Sequence, residues 1–188
     1  MSRIIASIEA RMSSSRLPGK VLLDINGEPS LTRQIRRLRQ SKKVDDIVVA
    51  TSTNPADDPI VSWGATENIA CYRGSEDDVL LRVVEAQRFM NSDIVVEICG
   101  DTPLIDPLII DQAISLFEED DCDIVSNTYR LSYPQGIDAQ VFRLADLEEI
   151  ERSIHDPAVR EHVSLYFYEH PERYRLKDLI APPELTHP

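Results

Sequence analysis

The chain has 188 residues, 42% of them hydrophobic, and its 33 acidic and 20 basic residues give a net charge of −13. This length and apolar content suit one sizeable core, so we expect a single domain over residues 1–188, and the negative charge disfavours a nucleic acid partner because it would repel a phosphate backbone. No segment approaches the roughly 20 apolar residues of a membrane span or resembles a secretory signal, so we expect a cytoplasmic protein without a membrane partner.

Short β-branched runs alternate with stretches of helical periodicity over the first 126 residues. The runs predict buried parallel strands at 4–8, 46–50, 68–72, 94–98 and 123–126. The periodic stretches predict helices at 30–40, 59–64, 77–90 and 107–118. Such alternation requires right-handed crossovers and a sheet covered on both faces. The predicted fold class is therefore α/β, with a doubly wound, mostly parallel, Rossmann-like sheet.

The pattern changes after about residue 130. Residues 133–142 predict a turn that leads into a strand, and acidic helices are expected around 144–154 and 159–169. We expect this part to form a small inserted layer. The proline-rich residues 181–188 predict no further strand or helix.

A long connection, residues 9–20, follows the first predicted strand and contains three cations, three serines and one glycine. Arg11, Arg16 and Lys20 supply charge, and the hydroxyls and backbone N–H groups supply directed donors, as a bound triphosphate requires. The segment is neither a P-loop nor a dinucleotide-binding fingerprint, because Val21 follows Lys20 and no GxGxxG occurs. On its pattern alone, a solvated basic loop is an equally good interpretation.

The fourth predicted strand ends in Cys99-Gly-Asp-Thr-Pro-Leu-Ile-Asp106. In doubly wound sheets, ligands lie beyond the carboxyl ends of the strands where the strand order reverses, most often between strands one and four. Asp101 would then face the basic loop. A carboxylate opposite a triphosphate suits Mg²⁺, so Asp101 is the predicted metal ligand, although a plain turn residue is the alternative. Asp106 is expected to cap the helix that begins at Pro107.

Residues 11–22 and 100–107 resemble the spore-coat-polysaccharide type of cytidylyltransferase, a relative of CMP-Kdo and CMP-sialic acid synthetases. Segments 73–82, 133–138 and 160–163 match three further motifs of that family, so five motifs follow in order over nearly the whole chain. The resemblance implies the fold of the nucleotide-diphospho-sugar transferases. It also favours the phosphate-binding interpretation of residues 9–20 over the solvated loop.

The resemblance implies that a sugar or sugar-acid hydroxyl attacks the α-phosphate of CTP and that pyrophosphate leaves, in surface polysaccharide biosynthesis. Arg16 and Lys20 would hold the β- and γ-phosphates, with Arg11 and Ser15 alongside. Asp101 would bind Mg²⁺. Catalysis of this kind rests on positioning and charge.

The base side of the implied site comprises Gly74, Ser75, Asp78 and Arg82. These residues would border the base and ribose of the nucleotide. Asp78 and Arg82 lie four residues apart in a predicted helix, so an ordinary ion pair between them is the alternative.

The sugar side of the implied site comprises Asp138, Gln140 and His162. Asp138 and Gln140 would lie on one face of a strand, and the alternative is an ordinary polar strand face. His162 would touch the sugar.

Three positions depart from the family pattern. Glu9 stands where the family usually has Gln and would repel the nucleotide unless it pairs with Arg11. Ser13 replaces the usual Gly, which restricts the backbone, and Gln140 replaces a usual Glu. The family also continues into a strand with a second metal carboxylate and a last helix, to which nothing in residues 1–188 corresponds.

The sequence is also compatible with two other functions. One is a nucleotidyltransferase that uses another nucleoside triphosphate, and another is a nucleotide- or sugar-binding fragment or subunit without catalysis. We further expect a homodimer, because apolar side chains around 141–142 and 163–169 suggest a subunit contact.

Overall fold

The computed structural model describes residues 2–14 and 16–186. Its strands are β1 (Ile4–Glu9), β2 (Asp46–Ser52), β3 (Ala70–Gly74), β4 (Ile94–Cys99), β5 (Ile124–Ser126), β6 (Gln140–Arg143) and β7 (Leu176–Asp178). Its α-helices are α1 (Ser30–Leu38), α2 (Asp58–Glu67), α3 (Val79–Phe89), α4 (Pro107–Glu119), α5 (Leu144–Ser153), α6 (Pro157–Glu161) and α7 (Leu165–Glu169). Short 3₁₀ turns span Lys20–Leu22, Pro55–Asp57 and Pro183–Leu185.

The strands form one seven-stranded sheet in the order β3-β2-β1-β4-β6-β5-β7. β1 pairs in parallel with both β2 and β4, and β2 pairs in parallel with β3. β6 runs antiparallel to β4 and β5, between which it inserts, and β7 pairs in parallel with β5. The predicted doubly wound, mostly parallel sheet is confirmed. Its strand order reverses between β1 and β4, where a ligand site is expected.

Helices cover both faces of this sheet. Ile4, Ala6 and Ile8 of β1 pack on one face under α1, α2 and α4. Ile5 lies on the opposite face, in a core that α3, α5, α6 and α7 complete. Period-2 alternation of β1 thus sends apolar side chains into both cores, as a central parallel strand requires.

The helices predicted before residue 120 are present, and their ends follow capping chemistry. Asp106 caps α4 by accepting from the Leu108 N–H, with proline at the first helical position, as expected. α2 runs to Glu67, three residues beyond its predicted end, and closes with Asn68 at a φ of 54°. The following strand therefore begins at Ala70 rather than at residue 68.

The C-terminal third differs most from expectation. The single helix predicted over 159–169 is two helices, because the chain at His162 is extended (φ −117°, ψ 95°). The segment 133–142 does turn and lead into a strand, as predicted, and that strand is Gln140–Arg143. β7 was not predicted, and a 3₁₀ turn lies within the segment 181–188 for which no helix was expected.

The apolar side chains that suggested a subunit contact lie inside the chain. Val141, Phe142 and Phe167 have no exposed surface, and the Phe142 and Phe167 rings stack at 5.1 Å between centroids. These three side chains serve the internal core of the chain, and the expected homodimer stays a prediction. Among the helices of residues 2–14 and 16–186, none has the length and apolar character of a membrane span.

Candidate active site

A pocket of about 280 Å³ opens at the carboxyl ends of β1 and β4. Arg11, Arg16 and Lys20 line it from the loop after β1, and Asp101 lines it from the turn after β4. The strand reversal thus brings the basic loop and Asp101 together, in the arrangement predicted from the sequence. Ser15, the remaining residue assigned to this loop, lies outside the described residues.

Lys20 and Asp101 form an ion pair across the mouth of this pocket. The exposed fractions of the Lys20 and Asp101 side chains are 27% and 43%. Both charges therefore remain within reach of a ligand, and a polyphosphate would compete with Asp101 for Lys20.

The shape of the basic loop is set by two backbone features. The Gly19 N–H donates to the Met12 carbonyl over 2.8 Å, which closes the loop, and Gly19 has a φ of 71° that suits glycine. Ser13 is not among the non-glycine residues with positive φ, which are Asn26, Asn68 and Asn91. The loop therefore accommodates Ser13 without the left-handed conformation that glycine would permit.

Asp57 anchors the start of the loop, a role that no sequence pattern predicted. Its side chain is 1% exposed. One carboxylate oxygen accepts from the Met12 N–H at 2.7 Å, and the other accepts from the N–H of Ser52 at 3.2 Å and from its hydroxyl. A buried carboxylate with these donors fixes the loop to the end of β2.

The turn that carries Asp101 is held from two sides. The Gly100 N–H donates to the Glu9 carbonyl at 3.0 Å, and a Cβ at Gly100 would lie 2.4 Å from that oxygen. Gln34 of α1, fully buried, donates to the Cys99 carbonyl and to the Thr102 hydroxyl, both at 2.7 Å. Glycine at 100 and the amide at 34 thus set the position of Asp101, and neither was identified from the sequence.

Arg82 lies beneath the base-side segment rather than on its surface. The side chain is 1% exposed, and its guanidinium donates to the carbonyls of Ser75 and Glu76. Arg11 also donates to the Glu76 carbonyl, at 2.8 Å. Gly74 is buried and packs directly on Arg82. The two arginines thus hold the backbone that follows β3 against the basic loop.

Asp78 pairs with Arg160, not with Arg82. It caps α3 by accepting from the Leu81 N–H at 2.9 Å, and it accepts from Arg160 Nε at 2.9 Å. Arg160 also pairs with Glu151 at 3.1 Å. The ion pair considered at Asp78 and Arg82 is therefore replaced by a longer-range one, which joins the base-side segment to α6.

Of the three sugar-side residues, Asp138 lies near Asp101 of the pocket. Burial raises the pKa of Asp138, and the charge of Asp101 raises it further. Gln140 begins β6 opposite Glu97 of β4, and its amide donates to the Thr128 hydroxyl at 3.1 Å. His162 is exposed between α6 and α7.

Glu9 forms no ion pair with Arg11, although such a pair was expected to offset the repulsion between Glu9 and a nucleotide. It lines the pocket, and its carboxyl lies diagonally across from that of Glu97 on the neighbouring strand. Burial raises the pKa of Glu9 to about 7. The charge next to the proposed phosphate site is therefore moderated by a proton rather than by an ion pair with Arg11.

The described residues contain no group of three or more His, Cys, Asp or Glu side chains placed to hold a metal ion. Asp101 alone offers an accessible carboxylate at the mouth of the pocket. These residues fit a hard divalent cation that takes its other ligands from phosphate oxygens and water.

Comparison with known proteins identifies the family. Residues 5–185 match a sequence model described as "Cytidylyltransferase". The chain belongs to the cytidylyltransferase family. It is thus a nucleotidyltransferase, and the class of enzyme and the family expected from the five motifs are both confirmed.

Three similar proteins illustrate the relation. The spore coat polysaccharide biosynthesis protein SpsF of Bacillus subtilis is 34% identical over 193 residues, an alignment that covers 100% of this chain and 79% of SpsF. An 8-amino-3,8-dideoxy-manno-octulosonate cytidylyltransferase of Shewanella frigidimarina is 31% identical over 88% of this chain and 64% of its own. The structure of a cytidylyltransferase from Leptospira borgpetersenii superposes with a TM-score of 0.91 at 30% identity, over 96% of this chain and 77% of that one.

Proposed function

We propose that this cytidylyltransferase transfers CMP from CTP to a hydroxyl of a sugar or sugar acid, with release of pyrophosphate, for surface polysaccharide biosynthesis. The pocket in which Arg11, Arg16 and Lys20 face Asp101 carries the proposal. The names of the relatives support the acceptor class, since one belongs to spore coat polysaccharide biosynthesis and another acts on an octulosonate.

Lys20 and Arg16 would hold the β- and γ-phosphates. Charge-assisted hydrogen bonds from these side chains, with Arg11 and Ser15 alongside, would orient the α-phosphate towards the attacking hydroxyl. As pyrophosphate leaves, the same cations would stabilise the charge that builds on it. Lys20 exchanges Asp101 for phosphate in this scheme, which also frees the carboxylate.

Asp101 would hold a divalent cation, for which we propose Mg²⁺. The fit rests on an accessible carboxylate opposite three cations, with the remaining ligand positions left to the triphosphate and water. When bound, the cation would neutralise negative charge on the phosphate oxygens.

The base and ribose would lie against Gly74, Ser75 and Asp78. Arg82 would act from beneath by fixing the backbone at Ser75 and Glu76. On the other side of the pocket, Asp138, Gln140 and His162 would contact the acceptor. Asp138 suits this role because its partly buried carboxylate lies near Asp101.

Calorimetric titration with CTP, ATP, GTP and UTP, with and without Mg²⁺, tests the proposal. We expect Mg²⁺-dependent binding of CTP that both Lys20→Ala and Asp101→Ala weaken about 100-fold. Lys43→Ala is the matched control, because Lys43 pairs with Glu118 elsewhere on the surface.

Each other outcome selects an alternative. Preference for another triphosphate would indicate a different nucleotidyltransferase. Tight CTP binding without turnover of any sugar or sugar acid would indicate a binding subunit. Binding of none of the four would contradict the proposed function of this chain. Pairing of two chains and a cytoplasmic location also remain proposals, and analytical ultracentrifugation tests the first.

A further inference from the structure

Two acidic side chains meet on one face of β1 and β4. The strands pair with Ser7 opposite Glu97 and Glu9 opposite Cys99, so Glu9 and Glu97 are diagonal neighbours on the same face. Glu97 is 7% exposed, and Glu9 is partly buried where it lines the phosphate pocket. Their carboxyl groups lie close enough to interact, so a proton on one of them relieves the repulsion between the two.

The surroundings leave this pair short of other donors. Glu9 Oε1 and Glu97 Oε2 are buried and have no donor among the described residues other than the facing carboxyl. Two buried carboxylates in contact repel each other and lose hydration, so they hold protons to a higher pH than isolated ones.

Charged and titratable groups face the pair from every neighbouring element. They are Arg11 from the loop after β1, Arg82 from α3, Cys99 from β4 and Tyr168 from α7. Arg82 and Arg11 favour ionisation of Glu9, but burial outweighs them and raises the pKa of Glu9 to about 7. Burial and the neighbouring Glu9 raise the pKa of Glu97 well above its ordinary value.

We propose that Glu9 is a titrating group of the nucleotide pocket and that Glu97 is its positioning residue, so that nucleotide affinity is greatest while the pair holds its protons. This inference rests on the proposed function. A neutral Glu9 can stand beside the phosphates without repulsion, whereas an ionised Glu9 adds a negative charge to the pocket that Arg11, Arg16 and Lys20 make positive. A protonated Glu97 would donate a hydrogen bond that holds the Glu9 carboxyl in place.

The test compares the dissociation constant of CTP in excess Mg²⁺ for the unaltered chain and for Glu9→Gln between pH 6 and pH 8.5. Ionisation of the triphosphate affects both proteins equally, so the ratio of the two dissociation constants reports only the ionisation of Glu9. We expect the unaltered chain to lose affinity relative to Glu9→Gln by about threefold to tenfold as the pH rises, the effect of one unit charge roughly 10 Å away. A ratio that stays constant with pH would overturn the inference.

Two substitutions of Glu97 separate positioning from general stability. Glu97→Gln keeps a donor to Glu9, so the midpoint of the affinity change should stay in place. Glu97→Leu removes the hydrogen bond that favours the ionised form, so the midpoint should move to higher pH. Equal midpoints in Glu97→Gln and folded Glu97→Leu would contradict the role of Glu97.

Titration of the side-chain carboxyl carbons by ¹³C NMR, without nucleotide, tests the pair directly. We expect the Glu9 signal to titrate near pH 7 rather than near its ordinary 4.5. Titration of both carboxyls near 4.5 would overturn the inference even if CTP binds. If CTP binds none of these proteins at any pH, the proposed function fails and the inference fails with it, whatever the carboxyls show.

Discussion

Two pockets at opposite ends of the sheet differ in size and in how their charges are used. One, of about 730 Å³, lies at the amino ends of β1 and β4, beside Ile4 and Ile94. The other is the phosphate pocket, of about 280 Å³, at the carboxyl ends of the same strands. On volume alone, the first would be the better ligand site.

Both cations that line the amino-end pocket are paired with carboxylates of the chain. Lys43 pairs with Glu118 at 2.5 Å, and Arg143 pairs with Asp123 at 2.8 Å. Such partly exposed pairs contribute modestly to stability. Because Asp45 and Asp93 line the same pocket, it offers an anionic ligand no excess of positive charge.

The carboxyl-end pocket has the opposite character. Lys20 pairs only with Asp101, while Arg11 and Arg16 are in no ion pair among the described residues. Three cations therefore face the exposed carboxylate of Asp101 and the partly buried carboxyl of Glu9 in a smaller space. An excess of cations at the strand reversal, rather than volume, distinguishes the proposed nucleotide pocket.

Reversing one charge at each pocket should separate them most strongly. Lys20→Glu places a negative charge where phosphate should bind, and we expect CTP affinity to fall about 1000-fold. Lys43→Glu replaces the ion pair with Glu118 by two like charges, but it should change the affinity for CTP by less than about twofold. Calorimetry with CTP and Mg²⁺ measures both affinities. Similar losses in the two variants would contradict the assignment of phosphate binding to the carboxyl-end pocket.

A second prediction concerns the support of the carboxyl-end pocket. Asp57→Ala leaves the Met12 and Ser52 N–H groups without their acceptor, so we expect a loss of about 3 kcal/mol in the free energy of unfolding. CTP affinity should fall about tenfold because the basic loop loses its anchor. Urea unfolding and calorimetry provide the two measurements.

Asp58→Ala is the matched control for that variant. Asp58 is exposed and pairs with Arg73 at 2.7 Å, so its loss should cost less than about 1 kcal/mol and leave the affinity unchanged. If Asp57→Ala binds CTP as tightly as Asp58→Ala does, the anchoring role assigned to Asp57 is wrong.

The sequence predicted the fold and the charged residues of the pocket because both leave local patterns. Periodicity marks a central strand or a long helix, and Arg11, Arg16 and Lys20 stand out within one connection. One segment was less regular. The helix predicted over 159–169 breaks at His162, although Asp156-Pro157 already offers a separate helix start.

The supports of the site leave no such local pattern. Asp57 reaches Met12 across 45 residues, and Gln34 reaches Cys99 across 65. Each belongs to a turn or helix where an acidic or amide side chain is ordinary. Glu97 occurs inside a predicted strand, and its burial depends on helices that pack over it from the end of the chain. Only the folded chain brings these groups together.

The smallest expected effect is at the amino-end pocket. Arg143 contacts Asp123 and lies over the Phe117 ring at 5.5 Å, and Asp123 has a second partner in Arg175. Arg143→Met should therefore leave Asp123 paired, but it removes the partner that Asp146 has at 3.2 Å, so we expect the free energy of unfolding to fall by about 1–2 kcal/mol. CTP affinity should change by less than about twofold, because this pocket lies at the far end of β1 and β4. A loss of tenfold or more in a folded Arg143→Met protein would mean that the two ends of the sheet are coupled, and the division drawn between them would have to be abandoned.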